Sequence, residues 1–289
     1  MPSLSRLALG LLLAAPASTT PIDPLSFDWS SITPSPALRY QDCYPGHQCA
    51  RLTVPLDWLD PSNAHTATIA IVKRPASVPP TDPTYGGPVL LNPGGPGGSG
   101  VDIALRWGER IQNILDGKKH YEIIGFDPRG VGRTTPGANC YPDELTRAYE
   151  VFQAHGAGYL TPDNDKLTWR HALAKSFGKR CGEALGGDGG ILRYASSSSV
   201  ARDMVEIIDQ IQELQNAEEE DALGAQGVEQ KKLRGSKGGV KAPARLQYMG
   251  FSYGTLLGNT FASMFPGRVG RMVLDGVADI DDYMAGVRH

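Results

Sequence analysis

Apolar and polar positions alternate with period two in several short stretches and recur at helical spacing in others. Residues 50–58 (ARLTVPLDW) and 66–73 (TATIAIVK) alternate and read as β-strands, with Pro55 near a sheet edge. Residues 89–91 (VLL) are wholly apolar, as expected of a strand buried on both faces of a parallel sheet. Residues 121–126 (YEIIGF) predict the next strand. Between them lie the glycine-rich run 92–100 and a helix-like stretch, 101–115. Strand, turn, helix and strand make a βαβ unit. Val200, Met204, Ile207, Ile208 and Ile211 recur at helical spacing and predict a crossover helix over 198–215. A short strand from Leu246, a turn, a helix to about Phe265 stopped by Pro266-Gly267, and a strand over 271–275 complete the order. The expected fold class is α/β, a mostly parallel sheet flanked by helices.

The stretches between are less regular. Residues 18–40 are rich in Pro, Ser and Thr and predict an extended lead-in. Residues 136–195 predict a mostly helical excursion, with a helix over 165–185. Residues 216–244 are charged and Gly-rich and predict a disordered surface insertion within a domain that runs from 41 to 289.

Composition narrows the possible partners. The 289 residues are 40% hydrophobic and 20% charged, with a formal net charge of -3. That balance points to neither a nucleic-acid nor an anionic-membrane partner. Arg6, an apolar run over 7–15 and Ala15-Pro16-Ala17 have the form of a secretory signal peptide, residues 1–17. The apolar run is too short to anchor the chain in a bilayer, so a secreted, extracellular protein with no membrane contact after cleavage is expected. Four cysteines suit an oxidising compartment. Of the three possible connectivities, Cys43–Cys49 and Cys140–Cys181 are predicted. With no C-x-x-C and no cysteine near paired histidines, neither a metal nor a cofactor is expected.

The chemistry is concentrated in Gly250-Phe-Ser-Tyr-Gly254, a G-x-S-x-G turn between strand and helix. That context is the nucleophile elbow, which lifts a serine hydroxyl clear of the sheet at a helix N-terminus. Ser252 is therefore the candidate nucleophile, and the backbone N–H of Tyr253 a candidate oxyanion donor. The loop 92–100 (NPGGPGGSG) leaves a strand at the same end of the sheet and offers unhindered amides. Gly95 is the candidate second donor, with Gly94 the near alternative. The same loop lacks the Lys-Ser/Thr of a P-loop and the spacing of a dinucleotide turn, so a phosphate cradle is disfavoured.

NPGGPGGSG, GFDPRGVGRT, GFSYGT and RMVLDGV, in that order, resemble the α/β-hydrolase fold. More narrowly, with the opening CARLTVPLDW, they resemble secreted serine peptidases of the prolyl-iminopeptidase and tripeptidyl-aminopeptidase type, over residues 43 to 289. The resemblance implies an acyl-enzyme on Ser252, an oxyanion hole of Gly95 and Tyr253, and a small peptide or ester as substrate. It implies a structural turn at Asp127, Arg129 and Gly130. It also implies a later acid and base, in the order Ser, Asp/Glu, His. Five of the six histidines precede Ser252 and the sixth is His289, so the C-terminal strands, the lid and the triad acid and base are expected beyond His289. Asp275, at a strand end next to the elbow, is read as structural, and His120 and His155 as surface loop residues. Three functions stay open: an aminopeptidase-type peptidase, a carboxylesterase or amidase, and a truncated chain without activity.

Overall fold

The computed structural model describes residues 26–60, 62–158, 166–187, 189–225 and 242–285. The signal-like start and His289 lie outside them. Seven strands form one sheet: β1 (Gln41–Asp42), β2 (Gln48–Pro55), β3 (Thr66–Arg74), β4 (Tyr85–Asn92), β5 (His120–Phe126), β6 (Leu246–Phe251) and β7 (Val269–Asp275). Their order is β1-β2-β3-β5-β4-β6-β7. β1, β2, β3 and β5 pair antiparallel in succession. β5, β4, β6 and β7 pair parallel. The chain passes from β4 to β5 on one side through α1 (Gly100–Leu115) and later returns to β6 on the other side of β4. The direction of winding therefore changes at β4. Loops leaving the carboxyl ends of β4 and β6 diverge there, and a crevice opens where ligands bind in doubly wound sheets.

Helices cover both faces, which explains the unbroken apolar runs. Ile71, Leu90 and Ile124 point into a core with Met204, Ile207 and Ile208 of α4 (Ser197–Ala225) and Leu257 and Phe261 of α5 (Tyr253–Met264). Their neighbours Val72, Leu91 and Ile123 point into a second core with Val101, Ala104 and Ile111 of α1. A side chain on either face of the central strands thus leaves water, which is why the alternation vanishes there.

The structure departs from the sequence reading in three places. α4 continues past Gln215 to Ala225, so the first part of the predicted insertion is helix. Its Ala, Glu and Leu residues favour helix even where there is little to bury. Residues 226–241 lie outside the described residues. The lead-in, from residue 26 on, is docked rather than free: Asp28 caps a 3-10 turn over Trp29–Ser31, Ile32 and Leu38 are buried, and Ser35 bridges to Leu52. The histidines read as loop residues sit in regular elements, His120 opening β5 and His155 in the last turn of α2 (Glu144–Gly156). The excursion holds α2 and α3 (Lys166–Leu185). Both predicted disulfides are present, Cys43–Cys49 and Cys140–Cys181.

Candidate active site

β6 buries Leu246, Tyr248 and Gly250 on one face and ends at Phe251. The chain then turns within one residue into α5. Ser252 takes φ 54° and ψ −123°, and it is the one non-glycine residue with positive φ among those described. L-residues avoid this region, so the conformation persists only because its surroundings enforce it. Four hydrogen bonds do so. Ser252 N–H donates to the Asp275 carbonyl at the end of β7 (3.0 Å). The Ser252 carbonyl accepts from Thr255 N–H (2.8 Å) and from the Thr255 hydroxyl (2.6 Å). The Tyr248 hydroxyl donates to the Gly254 carbonyl (2.8 Å). The serine side chain is left exposed at the N-terminus of a helix, where a developing negative charge is favoured.

The loop after β4 presses directly on this turn. A Cβ on Gly94 would overlap the Phe251 carbonyl oxygen and lie 2.9 Å from Tyr253 N, while a Cβ on Gly254 would lie 2.7 Å from the Asn92 carbonyl. The two backbones meet with no side chain between them, and Gly94 also has φ +88°. Buried Asn92 sets the loop: its Oδ1 accepts from Gly94 N–H (2.9 Å), and Gly98 N–H closes onto the Gly94 carbonyl (2.9 Å). The Gly94 amide is therefore occupied. Among the described residues the amides of Gly95 and Tyr253 meet no acceptor. A cavity of about 60 Å³ lies between this loop and Tyr253, lined in part by Gly94, Pro96, Arg129, Val131 and Leu257.

The turn after β5 has the opposite character. Asp127 is fully buried and accepts from the Ser99 hydroxyl (2.5 Å), Val101 N–H (3.1 Å) and Arg133 N–H (2.8 Å). Burial pushes its carboxyl above the usual carboxylate range, against the pull of those donors. Arg129 grips Asp203 of α4 with two nitrogens (2.6 and 2.7 Å) and donates to the carbonyls of Pro55 and Leu56. Trp58 Nε1 donates to the same carboxylate (2.8 Å). The buried charged side chains of this turn are committed to the fold, while Pro128, Arg129 and Val131 line the cavity beside the elbow.

Two contacts escaped the sequence reading. Asp203 was legible in principle, because a carboxylate between Val200 and Ile207 on the inward stripe of a helix needs a buried partner. Ser197 shares a 2.6 Å hydrogen bond with the Tyr253 hydroxyl, tying the start of α4 to the residue after Ser252. No periodicity announces it. The Asp275 carboxylate is exposed, and its established contact is through its carbonyl. Among the described residues no histidine is hydrogen-bonded to Ser252. His120 faces Asp116 (3.3 Å) at the opposite end of the parallel strands, and His47 meets the Pro45 carbonyl.

No protein-family model matches the chain. It is 28% identical over 237 residues to serine protease Hip1 of Mycobacterium tuberculosis, covering 81% of this chain and 36% of that protein. It is 29% identical over 232 residues to the tripeptidyl aminopeptidase of Streptomyces lividans, covering 80% of this chain and 35% of the relative. Both relatives are named as peptidases, and the mostly parallel sheet and the strand–turn–helix at Ser252 are in keeping with that likeness. Carboxylesterase B of Mycobacterium tuberculosis is 31% identical over 157 residues, 54% of this chain and 28% of its own. The chain spans about a third of the length of the two peptidase relatives. No helix among the described residues is long and apolar enough to cross a membrane.

Proposed function

We propose that this chain is a secreted aminopeptidase-type serine peptidase that acts through an acyl-enzyme on Ser252. The observation that carries the proposal is the strained Ser252 beside two unspent amides. Attack of Oγ on a substrate carbonyl would place the developing oxyanion between Gly95 N–H and Tyr253 N–H. One such donor contributes roughly 3–4 kcal/mol to the transition state. Peptide substrates are favoured by the similarity to Hip1 and to tripeptidyl aminopeptidase over four-fifths of the chain. Both disulfides, and a start with the form of a signal peptide, support an extracellular site of action.

A general base and its orienting acid are needed to take the hydroxyl proton, and the described residues bring neither to Ser252. Without them the serine keeps an ordinary hydroxyl pKa, and the oxyanion donors and binding alone give on the order of 10³–10⁴ over water. The carboxylesterase reading rests on the similarity to carboxylesterase B. The same acylation serves esters, whose better leaving group needs less help from a base.

Covalent labelling with a fluorophosphonate tests the site. Slow labelling of one tryptic peptide containing Ser252, abolished in Ser252→Ala, is the expected outcome. A folded chain that stays unlabelled sinks the nucleophile assignment. Turnover of aminoacyl and tripeptidyl arylamides ahead of simple aryl esters supports the peptidase, and the reverse order supports the esterase.

A further inference from the structure

Tyr253 is the first residue of α5, and its backbone and side chain face different neighbours. Its N–H lies in the first turn of the helix, where amides have no partner within the helix. Its ring packs against the core that α4 and α5 share. Its hydroxyl shares the 2.6 Å hydrogen bond with Ser197, and either oxygen can donate. The start of α4 that carries Ser197 is itself well held. Ser196 caps it, its hydroxyl oxygen accepting from Ser199 N–H (3.2 Å) and its carbonyl from Val200 N–H (3.0 Å). Val200, Ala201 and Met204 on the following turns are buried.

The same turn of α4 walls the cavity beside the elbow. Ala195 and Val200, which flank Ser197 in the chain, line that cavity together with Tyr253 and Leu257 of α5. The Ser197–Tyr253 bond therefore joins the two helices where they face the site.

We propose that Ser197 is a positioning residue for the acylation of Ser252, fixing the direction of the Tyr253 N–H through the Tyr253 hydroxyl. The assignment rests on the acyl-enzyme reading of Ser252. The link between hydroxyl and amide is short. The Tyr253 N–H and the Ser252 carbonyl belong to one planar peptide unit. The carbonyl end of that unit accepts from Thr255 N–H (2.8 Å) and the Thr255 hydroxyl (2.6 Å). The other end is the Tyr253 Cα, and a phenol tied at its far end restrains the Cα that carries it. With both ends held, the N–H has little freedom to swing. A donor already aimed where charge develops need not reorganise during reaction.

The rate of fluorophosphonate labelling, followed against probe concentration, separates probe binding from the bond-forming step. Labelling forms the bond from Ser252 Oγ to phosphorus, breaks the phosphorus–fluorine bond, and releases fluoride and a proton to water. Ser197→Ala should slow the limiting rate roughly three- to ten-fold, the scale of one hydrogen bond, at an unchanged half-saturating concentration. Tyr253→Phe keeps the ring, loses the hydroxyl and should slow the step to the same extent, so the test does not hang on one variant folding. The double variant should be no slower than either single, because both remove the same bond. Ser197→Thr returns a hydroxyl and should return most of the rate. Ser198→Ala, whose hydroxyl meets Ser196 (2.9 Å), should label like the parent chain. A parent chain that does not label sinks the acyl-enzyme reading and this assignment with it. A parent that labels, with Ser197→Ala and Tyr253→Phe labelling equally fast, overturns this assignment alone. So do losses that multiply in the double variant, or a Ser197→Thr chain as slow as Ser197→Ala. So does a loss that appears as weaker probe binding at an unchanged limiting rate.

Discussion

Two turns leave the carboxyl ends of parallel strands in this sheet, and their contrast separates chemistry from support. After β5, the turn around Asp127 commits its buried charged side chains to the fold: the carboxylate takes three donors, and Arg129 is shared among Asp203 and two carbonyls. After β6, the turn around Ser252 is held as tightly by hydrogen bonds to its backbone, yet it leaves a hydroxyl exposed. The amide that follows it, and the Gly95 amide across the crevice, likewise meet no acceptor. Both turns are held by hydrogen bonds, but the first turns its buried charged side chains into the fold and the second turns a hydroxyl out of it. Groups fixed in place with unused hydrogen-bonding capacity can stabilise a charge that appears during reaction without first reorganising. A motif match does not distinguish the two turns; where their polar side chains are committed does.

The largest test of this contrast falls on the satisfied turn. Arg129→Leu leaves the Asp203 carboxylate buried with only Trp58 as a donor. Removing one partner of a buried pair costs about 3–5 kcal/mol. Urea unfolding should show that loss, while the folded fraction labels at Ser252 at an unchanged rate. A labelling rate that collapses in a variant still folded would mean that the Asp127 turn belongs to the chemistry, and the contrast would fail.

A smaller effect is expected in the loop that touches the elbow. Gly94→Ala adds a Cβ against the Phe251 carbonyl and the Tyr253 nitrogen, at a φ of +88°. The conformational cost of about 1–2 kcal/mol and an overpacking cost of about 1–3 kcal/mol act together, and the Tyr253 amide must move. Gly97 has φ +103° with nothing within 4 Å of its Cβ position. Gly97→Ala should therefore lose only about 1–2 kcal/mol and keep its labelling rate. Equal losses of labelling in the two variants would show that the loop acts through its flexibility and not through contact with the elbow.

Much of this arrangement was legible before any coordinates. The apolar run at 89–91 and the G-x-S-x-G turn each carry local chemistry that needs little context, so the strand and the elbow could both be read from neighbouring residues. The choice between Gly94 and Gly95 could not be made that way. It depends on Asn92 turning its own side chain back onto the Gly94 amide, a contact two residues long with no periodic signature. The extension of α4 to Ala225 was hidden because acidic, Ala-rich sequence suits a solvated helix as well as a loop. The docking of Ile32 and Leu38 was hidden because isolated apolar residues among prolines show no period. What escaped the reading were tertiary contacts between segments distant in sequence, such as Arg129 with Asp203 and Ser197 with Tyr253.

The finest distinction between the turns is the strain stored at Ser252 itself. A non-glycine residue at φ 54° and ψ −123° costs on the order of 1–3 kcal/mol. Ser252→Ala keeps the Cβ and so keeps that cost, while Ser252→Gly releases it and adds back roughly 0.5–1 kcal/mol of chain entropy. Both variants lose all fluorophosphonate labelling, but the glycine variant should be more stable than the alanine variant by about 1 kcal/mol, read as a shift in urea midpoint at constant slope. If glycine proves no more stable than alanine, the four hydrogen bonds around the elbow accommodate Ser252 without strain. The rigidity of the site would then come from the backbone contact with Gly94 alone. If the difference appears, the turn at Ser252 is the one place among the described residues where a non-glycine backbone is held at positive φ against its preference, and stability has been traded there for the direction of a single hydroxyl.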